Sequence, residues 1–409
     1  MSSYWKNVSS VLTGSVLAQV IPILGSLVIA RLFAPVEFGI FAAWFGGAIL
    51  LAVMVTGRFE TALAIEADGE PRRLAVIATL LTAVVGSSVA LVLLASARLI
   101  APTVFTNLPT ALIVALVPAG FVIAVANIWQ AWAVAEGRYR TLSFMRIVQA
   151  GAVTLIQIVA GMLGPSATTL ALAYIFGVCI GLILSVYLMP LGRLPHGELR
   201  ATVVVFWRRQ RRFPIFSLPA DTINTAAAQL PVLIIASRFG AETAGLLAMA
   251  MRILGAPIGL LGKSVLDVFK RHAATSYRER GECRSEYLRT FKVLATGSLV
   301  FCIAMAFLSE TIFALAFGEQ WRAAGTIAVW LLPLFALRFM ASPLSYMVYI
   351  AGKQHLDLFW QIALLGVTFL CLWIPQGHEL ALQAYSAGYS MLYVVYLAMS
   401  YRFSLGVKS

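Results

Sequence analysis

Apolar runs of about 20 residues recur along the whole chain, each closed by a short polar turn or one bearing glycine or proline. Twelve such runs read as helices able to cross a bilayer, at about 8–32, 38–65, 74–94, 111–135, 147–163, 168–189, 213–239, 244–270, 293–314, 326–350, 358–374 and 380–402. Their apolar character is continuous rather than alternating, so they predict helices and not the strands of a closed barrel. The expected fold class is an all-α polytopic membrane protein. The first run is too long for a cleaved signal peptide and lacks a small-residue cleavage site, so it is read as a span. The longest polar stretch between spans runs from Gly192 to Arg212 and ends Trp207-Arg-Arg-Gln-Arg-Arg212. It is the expected linker between two halves, 1–206 and 207–409.

Two internal matches argue that the halves are a duplication. Phe33-Ala-Pro-Val-Glu-Phe-Gly39 aligns with Phe239-Gly-Ala-Glu-Thr-Ala-Gly245, 206 residues on, and Gly137-Arg-Tyr-Arg-Thr-Leu-Ser-Phe144 aligns with Gly352-Lys-Gln-His-Leu-Asp-Leu-Phe359, 215 residues on. Each pair falls at the same place in its six-span half. Six is even, so the halves share one orientation in the membrane, and a parallel repeat of this kind predicts two six-helix lobes around a central cavity.

Composition agrees with this reading: of 409 residues, 61% are hydrophobic and only 11% charged, against about 45–50% and 25% in soluble domains. The net charge of +13 raises the question of nucleic acid. Its distribution excludes it. Four of the 30 Lys and Arg residues lie at the outer face (Arg31, Arg98, Arg238, Arg322) and four within spans (Arg58, Arg252, Lys263, Arg338). The other 22 fall on one side, the side that holds both termini if these are cytoplasmic. No cysteine sits on the outer face where disulfides form, and the four histidines are isolated in loops, so neither bridges nor a metal centre are expected.

The charges inside spans are the informative residues, because a charge in hydrocarbon costs several kcal/mol unless it faces protein or water. In the span Ala248–Lys270, Arg252 and Lys263 are eleven residues apart and fall within roughly 20° on a regular helix, with Asp267 one turn further. At about 1.5 Å per residue, Arg252 lies about 12 Å and Arg338 roughly 18 Å from the outer face, while Lys263 and Arg58 come out near 28–30 Å, at the inner interface. Asp221 and Asn224 lie about 12 and 16 Å from the inner face, in a helix that Pro219 and Pro231 should bend. Two small-residue pairs, Gly177/Gly181 and Gly255/Gly259, predict close helix packing or, at Pro257, a bend. Gly262-Lys263-Ser264 imitates the end of a phosphate-binding loop, but the pattern's first glycine is Pro257 and no strand precedes it, so no ATPase is expected.

Several segments taken in order resemble a family. Gly14-Ser15, Gln19, Ala30-Arg31-Leu-Phe-Ala-Pro35, Glu37-Phe38-Gly39 and Thr56-Gly57-Arg58-Phe59-Glu60 in the first half are joined by others in the second: Phe213-Pro214, Gln229-Leu-Pro231, Ala250-Met-Arg252-Ile-Leu254, Pro257, Arg338, Ser342-Pro343-Leu344, Gly352-Lys353-Gln354 and Asp357-Leu358. The order and spacing resemble bacterial polysaccharide repeat-unit flippases of the multidrug/oligosaccharidyl-lipid/polysaccharide exporter superfamily. The resemblance implies a non-enzymatic protein of the bacterial inner membrane. It implies alternating access and movement of undecaprenyl-pyrophosphate-linked oligosaccharide from the cytoplasmic to the periplasmic leaflet, for lipopolysaccharide O-antigen or exopolysaccharide synthesis. A polysaccharide polymerase and a chain-length regulator would be its partners, with the lipid bilayer itself.

On that resemblance the residues acquire roles. Stripping water from an unpaired pyrophosphate is prohibitive, and guanidinium suits it by donating two bonds at once. Arg252, Arg338, Lys263 and Arg58 are the candidates for the anionic headgroup. Asp221, Glu60 and Asp267 are candidates for coupling to a proton or sodium gradient, with a Lys263–Asp267 salt bridge as the plainer alternative. Asn127, Trp129, Gln130 and Asn224 are candidates for sugar contact, against the plainer role of joining helices. No cofactor, metal or catalytic residue is expected. Two other readings stay open: an ion-coupled exporter or another lipid-linked precursor flippase of the same superfamily, and a membrane enzyme on lipid-linked glycans. The enzyme would be expected to carry catalytic acids or histidines in an outer loop, and the longest outer segment, Arg98–Thr110, has neither.

Overall fold

A computed structural model of the chain describes residues 2–100, 108–192 and 199–406. The described residues fold as helices joined by short turns: α1 (Ser2–Leu32), α2 (Pro35–Val55), α3 (Glu70–Ile100), α4 (Thr110–Ala135), α5 (Tyr139–Leu163), α6 (Ala167–Leu188), α7 (Leu199–Arg209), α8 (Leu218–Phe239), α9 (Ala241–Pro257), α10 (Lys263–Arg280), α11 (Arg284–Phe317), α12 (Arg322–Leu344), the single turn α13 (Met347–Ile350), α14 (Gln354–Trp373) and α15 (His378–Ser404). Eight stretches among them are long and apolar enough to cross a membrane, and Val16–Leu32 and Phe359–Trp373 are shorter apolar stretches. Of the expected spans, α8 and α15 are the more polar two. The first carries Asp221, Asn224 and Gln229; the second carries a stripe of tyrosines. The protein is an all-α polytopic membrane protein, consistent with two six-helix lobes.

The chain divides into two compact units, 1–229 and 230–409, with the division inside α8. In the first, α1 packs on α5, α5 on α6, and α4 is the central helix, touching α2, α3 and α6. In the second, α12 holds the centre against α9, α11 and α15, and α14 packs on α15. Large apolar side chains such as Leu93, Leu163, Phe307 and Leu315 point outward, which suits lipid rather than water. The four cysteines are free. Burial pushes the Cys283 thiol, in the turn before α11, up to about 12, so it stays protonated beside Met347.

Three helices depart from the expected spans, each for a local reason. The run 38–65 does not continue as one helix: α2 stops at Val55, Gly57 and Arg58 both take left-handed φ (59° and 60°), and Phe59–Ala64 follows as a 3-10 turn. Arg58 is the non-glycine residue with positive φ among the described residues. The run 244–270 is likewise broken. A proline has no N–H for the residue four back and clashes with that carbonyl, and after Pro257 the backbone opens into a π turn over Ile258–Gly262 before α10 begins. Pro214 sits in a second π turn, Phe213–Ser217, at the entry to α8. The expected linker contains a helix of its own, α7.

One of the two matched repeat pairs shares local geometry. Gly137 and Gly352, aligned across the halves, both take left-handed φ (66° and 67°) just after a helix end. The two small-residue pairs diverge. A Cβ on Gly177 would stand 2.4 Å from the Val153 backbone, so α5 and α6 meet there in near contact, whereas one on Gly255 would meet nothing nearer than 3.7 Å. Gly177→Ala is therefore expected to cost about 1–3 kcal/mol and Gly255→Ala to be neutral or slightly stabilising, read as shifts in thermal unfolding of the purified protein.

Candidate functional site

Among the described residues, two groupings of charged side chains in or beside the spans stand out, one in each unit. The first forms where α2 breaks. Arg58 Nη1 donates to Glu60 Oε1 at 2.7 Å, and Arg58 Nε lies 2.7 Å from Asp221 Oδ2 on α8. The second contact is an ion pair without an aligned hydrogen bond, since Nε–H has no acceptor in line. Glu60 is 8% exposed and its Oε2 has no hydrogen-bond partner. One cation thus holds two carboxylates from separate elements, an arrangement that depends on the guanidinium being present.

The turn carrying Arg58 is fixed from below. Phe59 packs on Phe206 of α7 at 5.4 Å between ring centres, and Trp207 Nε1 donates to Thr82 Oγ1 of α3 at 2.9 Å. Arg72, buried at the start of α3, donates to the carbonyls of Leu63 and Glu66 and to Glu136, the residue that follows α4. Glu66, also buried, accepts from Gln210 and pairs with Arg209 at 3.3 Å. The basic segment read as a topology signal is thus partly internal: its last turn clamps the loop after the 3-10 turn.

The second place lies within the unit of α9 to α15. Arg338 is half-buried on α12 and forms no ion pair or hydrogen bond among the described residues. It lines a cavity of about 250 Å³ together with Asp357, Trp360 and Gln361 of α14 and Tyr393 and Tyr396 of α15. Asp357 Oδ1 accepts from Tyr396 Oη at 3.0 Å, and Trp360 Nε1 donates to the Leu392 carbonyl at 3.3 Å. Tyr385, Tyr389, Tyr393 and Tyr396 follow at helical spacing along the face of α15 that is buried in the protein. Arg252 is half-buried and engaged within the protein, on α9, which packs against α12.

The remaining expected residues separate clearly. Lys263 and Asp267 have side chains outside the described residues; their backbone lies in α10, beyond the π turn. The stripe expected to unite them with Arg252 assumed about 100° per residue throughout, and the wider turn breaks that phase. Asn127 on α4 and Asn224 on α8 are exposed, and an amide at that depth requires a wet surface. Gln130 donates to Gln149 Oε1 at 3.2 Å and accepts from Arg146 at 3.0 Å, joining α4 to α5. Trp129 is a correction: its ring lies in the core of its unit with Nε1 donating to the Met189 carbonyl, so no face is offered to a sugar in this conformation. Asp357, Trp360, Tyr393 and Tyr396 were not among the expected site residues. Their signal was weak: one acid and three aromatics on two helices that only packing brings together.

The described residues thus place cations at membrane depth within an all-α, membrane-spanning fold. Comparison with solved structures agrees on the fold. A lipid II flippase, MurJ, in an inward closed conformation superposes with a TM-score of 0.72 at 11% identity, covering 97% of this chain and 87% of that one. An inward-facing multidrug resistance transporter of the MATE family, in the MOP superfamily, gives 0.57 at 14% identity, with 97% and 93% covered. Among curated proteins, the teichuronic acid biosynthesis protein TuaB of Bacillus subtilis (strain 168) is 26% identical over 153 residues, which is 37% of this chain and 32% of that relative. Residues 28–325 match the polysaccharide biosynthesis protein family. The chain belongs to that family.

Proposed function

We propose that the protein is a flippase for polyprenyl-pyrophosphate-linked oligosaccharide, moving undecaprenyl-linked repeat units from the cytoplasmic to the periplasmic leaflet of a bacterial inner membrane. The observation that carries this reading is Arg338: a guanidinium within the apolar span Glu319–Ile350, paired with no carboxylate among the described residues, and lining a cavity. A cation held there without a direct ion pair is stabilised by an anionic ligand, and a pyrophosphate supplies two charged groups matched to the guanidinium fork. Family membership supports a glycan cargo, and the fold shared with a lipid II flippase supports a lipid-linked one.

The polyprenyl tail stays in hydrocarbon while the headgroup passes along Arg252 and Arg338, with Arg58 and Lys263 nearer the inner face. Two lobes, 1–206 and 207–409, rock in alternating access, with both termini cytoplasmic. Coupling to a proton or sodium gradient would run through Glu60, Asp221 and Asp267. The product feeds O-antigen or exopolysaccharide assembly, where a polymerase and a chain-length regulator would take it up. In the native host, deletion of the gene is expected to strand the lipid-linked repeat unit on the cytoplasmic leaflet. Restoring the gene with Arg252→Ala is expected to insert normally yet leave surface polymer at the deletion level. Normal polymer from that variant would remove Arg252 from the path, and no stranded intermediate in the deletion would overturn the function.

A further inference from the structure

We infer that the cavity beside Arg338 is a subsite for one sugar ring, the ring bonded directly to the pyrophosphate; this rests on the flippase reading above. Its lining is divided by chemistry. Arg338 supplies the cation, Trp360 a flat apolar face, and Asp357 with Gln361 supply hydrogen-bonding groups. A sugar ring has the same division, with C–H groups on its faces and hydroxyls around its rim.

Each of these groups is held in place. The Trp360 indole is anchored by its bond to the Leu392 carbonyl and backed by Tyr396 and Tyr393, with ring centres 4.6 and 5.3 Å away. It is the least buried of the three rings, which leaves it able to stack on a ligand. Asp357 is oriented by the Tyr396 phenol on one oxygen and by Gln361 Nε2, at 3.5 Å, beside the other, with the Tyr349 phenol a third hydrogen-bond partner. An ionised carboxylate has about four acceptor positions, so Asp357, held by Tyr396, Gln361 and Tyr349, keeps capacity to accept from a sugar hydroxyl. Asp357 and Arg338 share the cavity without pairing, which keeps both available.

Size selects the ring. The cavity of about 250 Å³ falls below the ~300–1,000 Å³ of pockets for drug-sized ligands, so it takes a single ring and not an oligosaccharide. With the phosphate on Arg338, that ring is the one attached to the phosphate. The protein should therefore discriminate by the first sugar and tolerate variation further along the repeat unit.

The test uses the full chain purified in detergent and two probes: farnesyl pyrophosphate, and the same compound carrying one hexose on its terminal phosphate. Calorimetric titration of the unaltered protein is expected to show the glycosylated probe binding at least tenfold tighter. Asp357→Asn is expected to bring the two affinities within about twofold by weakening only the glycosylated one, and Trp360→Phe to narrow the gap partway. Arg338→Ala is expected to weaken both probes alike. Equal affinity for the two probes in the unaltered protein, or equal weakening of both by Asp357→Asn, overturns the subsite and leaves the flippase reading standing. Binding of neither probe overturns both. The elution profile and melting temperature of each variant establish that it is folded, and Trp360→Phe carries the test if Asp357→Asn does not fold.

Discussion

Alanine at Arg338 is expected to reduce translocation of lipid-linked oligosaccharide in proteoliposomes by about 100-fold or more, with insertion and melting temperature little changed. The expected size follows from the contact being removed. A hydrogen bond to a charged group contributes about 1.5–3 kcal/mol, a bidentate one lies at the upper end, and about 1.4 kcal/mol is a factor of ten. The small effect on folding follows from the side chain's surroundings: Arg338 holds no carboxylate and no hydrogen bond among the described residues, so its loss strands no partner there. Arg338→Lys keeps the charge but not the planar fork and is expected to recover roughly a tenth of the activity. Transport at the unaltered rate in Arg338→Ala would show that the phosphate passes elsewhere.

The opposite balance is expected at Arg58. Its guanidinium joins Glu60 to Asp221, and Glu60 is buried. Arg58→Ala leaves two carboxylates facing each other without their shared cation. Breaking a buried pair from one side costs about 3–5 kcal/mol, and partial exposure of Arg58 places the expected loss at about 3 kcal/mol. Two further variants separate charge from backbone. Arg58→Gly loses the same charge but relieves a left-handed φ of 60°, so it should be less destabilised than Arg58→Ala by about 1 kcal/mol. Adding Glu60→Gln and Asp221→Asn to Arg58→Ala removes the repulsion and should restore much of the loss, a coupling that single variants cannot show. The readout is thermal unfolding in detergent. An Arg58→Ala protein as stable as the unaltered one would mean that the three charges are not coupled.

The same contrast bears on what was legible beforehand. Arg58, Arg252 and Arg338 stood out in the sequence because charge in an apolar run is costly wherever the helix packs. That cost does not say which charges share a partner. Glu60 and Asp221 were read as separate coupling candidates, and the folded chain ties both to Arg58, the second across 163 residues of sequence. Trp129 and Gln130 looked alike as polar or aromatic residues in one span, yet Trp129 is in the core and Gln130 bridges two helices. A helix surface has a buried and an open side, and hydropathy in a uniformly apolar run does not distinguish them. Asp357, by contrast, sits near the start of α14, where an acid reads as an ordinary helix-terminal residue. Its contact with Tyr396 and its place beside Arg338 depend on three helices meeting.

The sequence by itself determined that this protein is helical and membrane-spanning, where its apolar runs lie, and which charges in those runs needed an explanation. Those properties follow from runs of about 20 apolar residues and from the cost of charge in hydrocarbon, and neither depends on distant parts of the chain. The tertiary structure decided where helical phase fails, at the left-handed turn of Gly57 and Arg58 and at the π turn after Pro257, and which polar groups come together. A π turn shifts the face of every residue beyond it, and a cavity lined from α12, α14 and α15 exists only once those helices are packed.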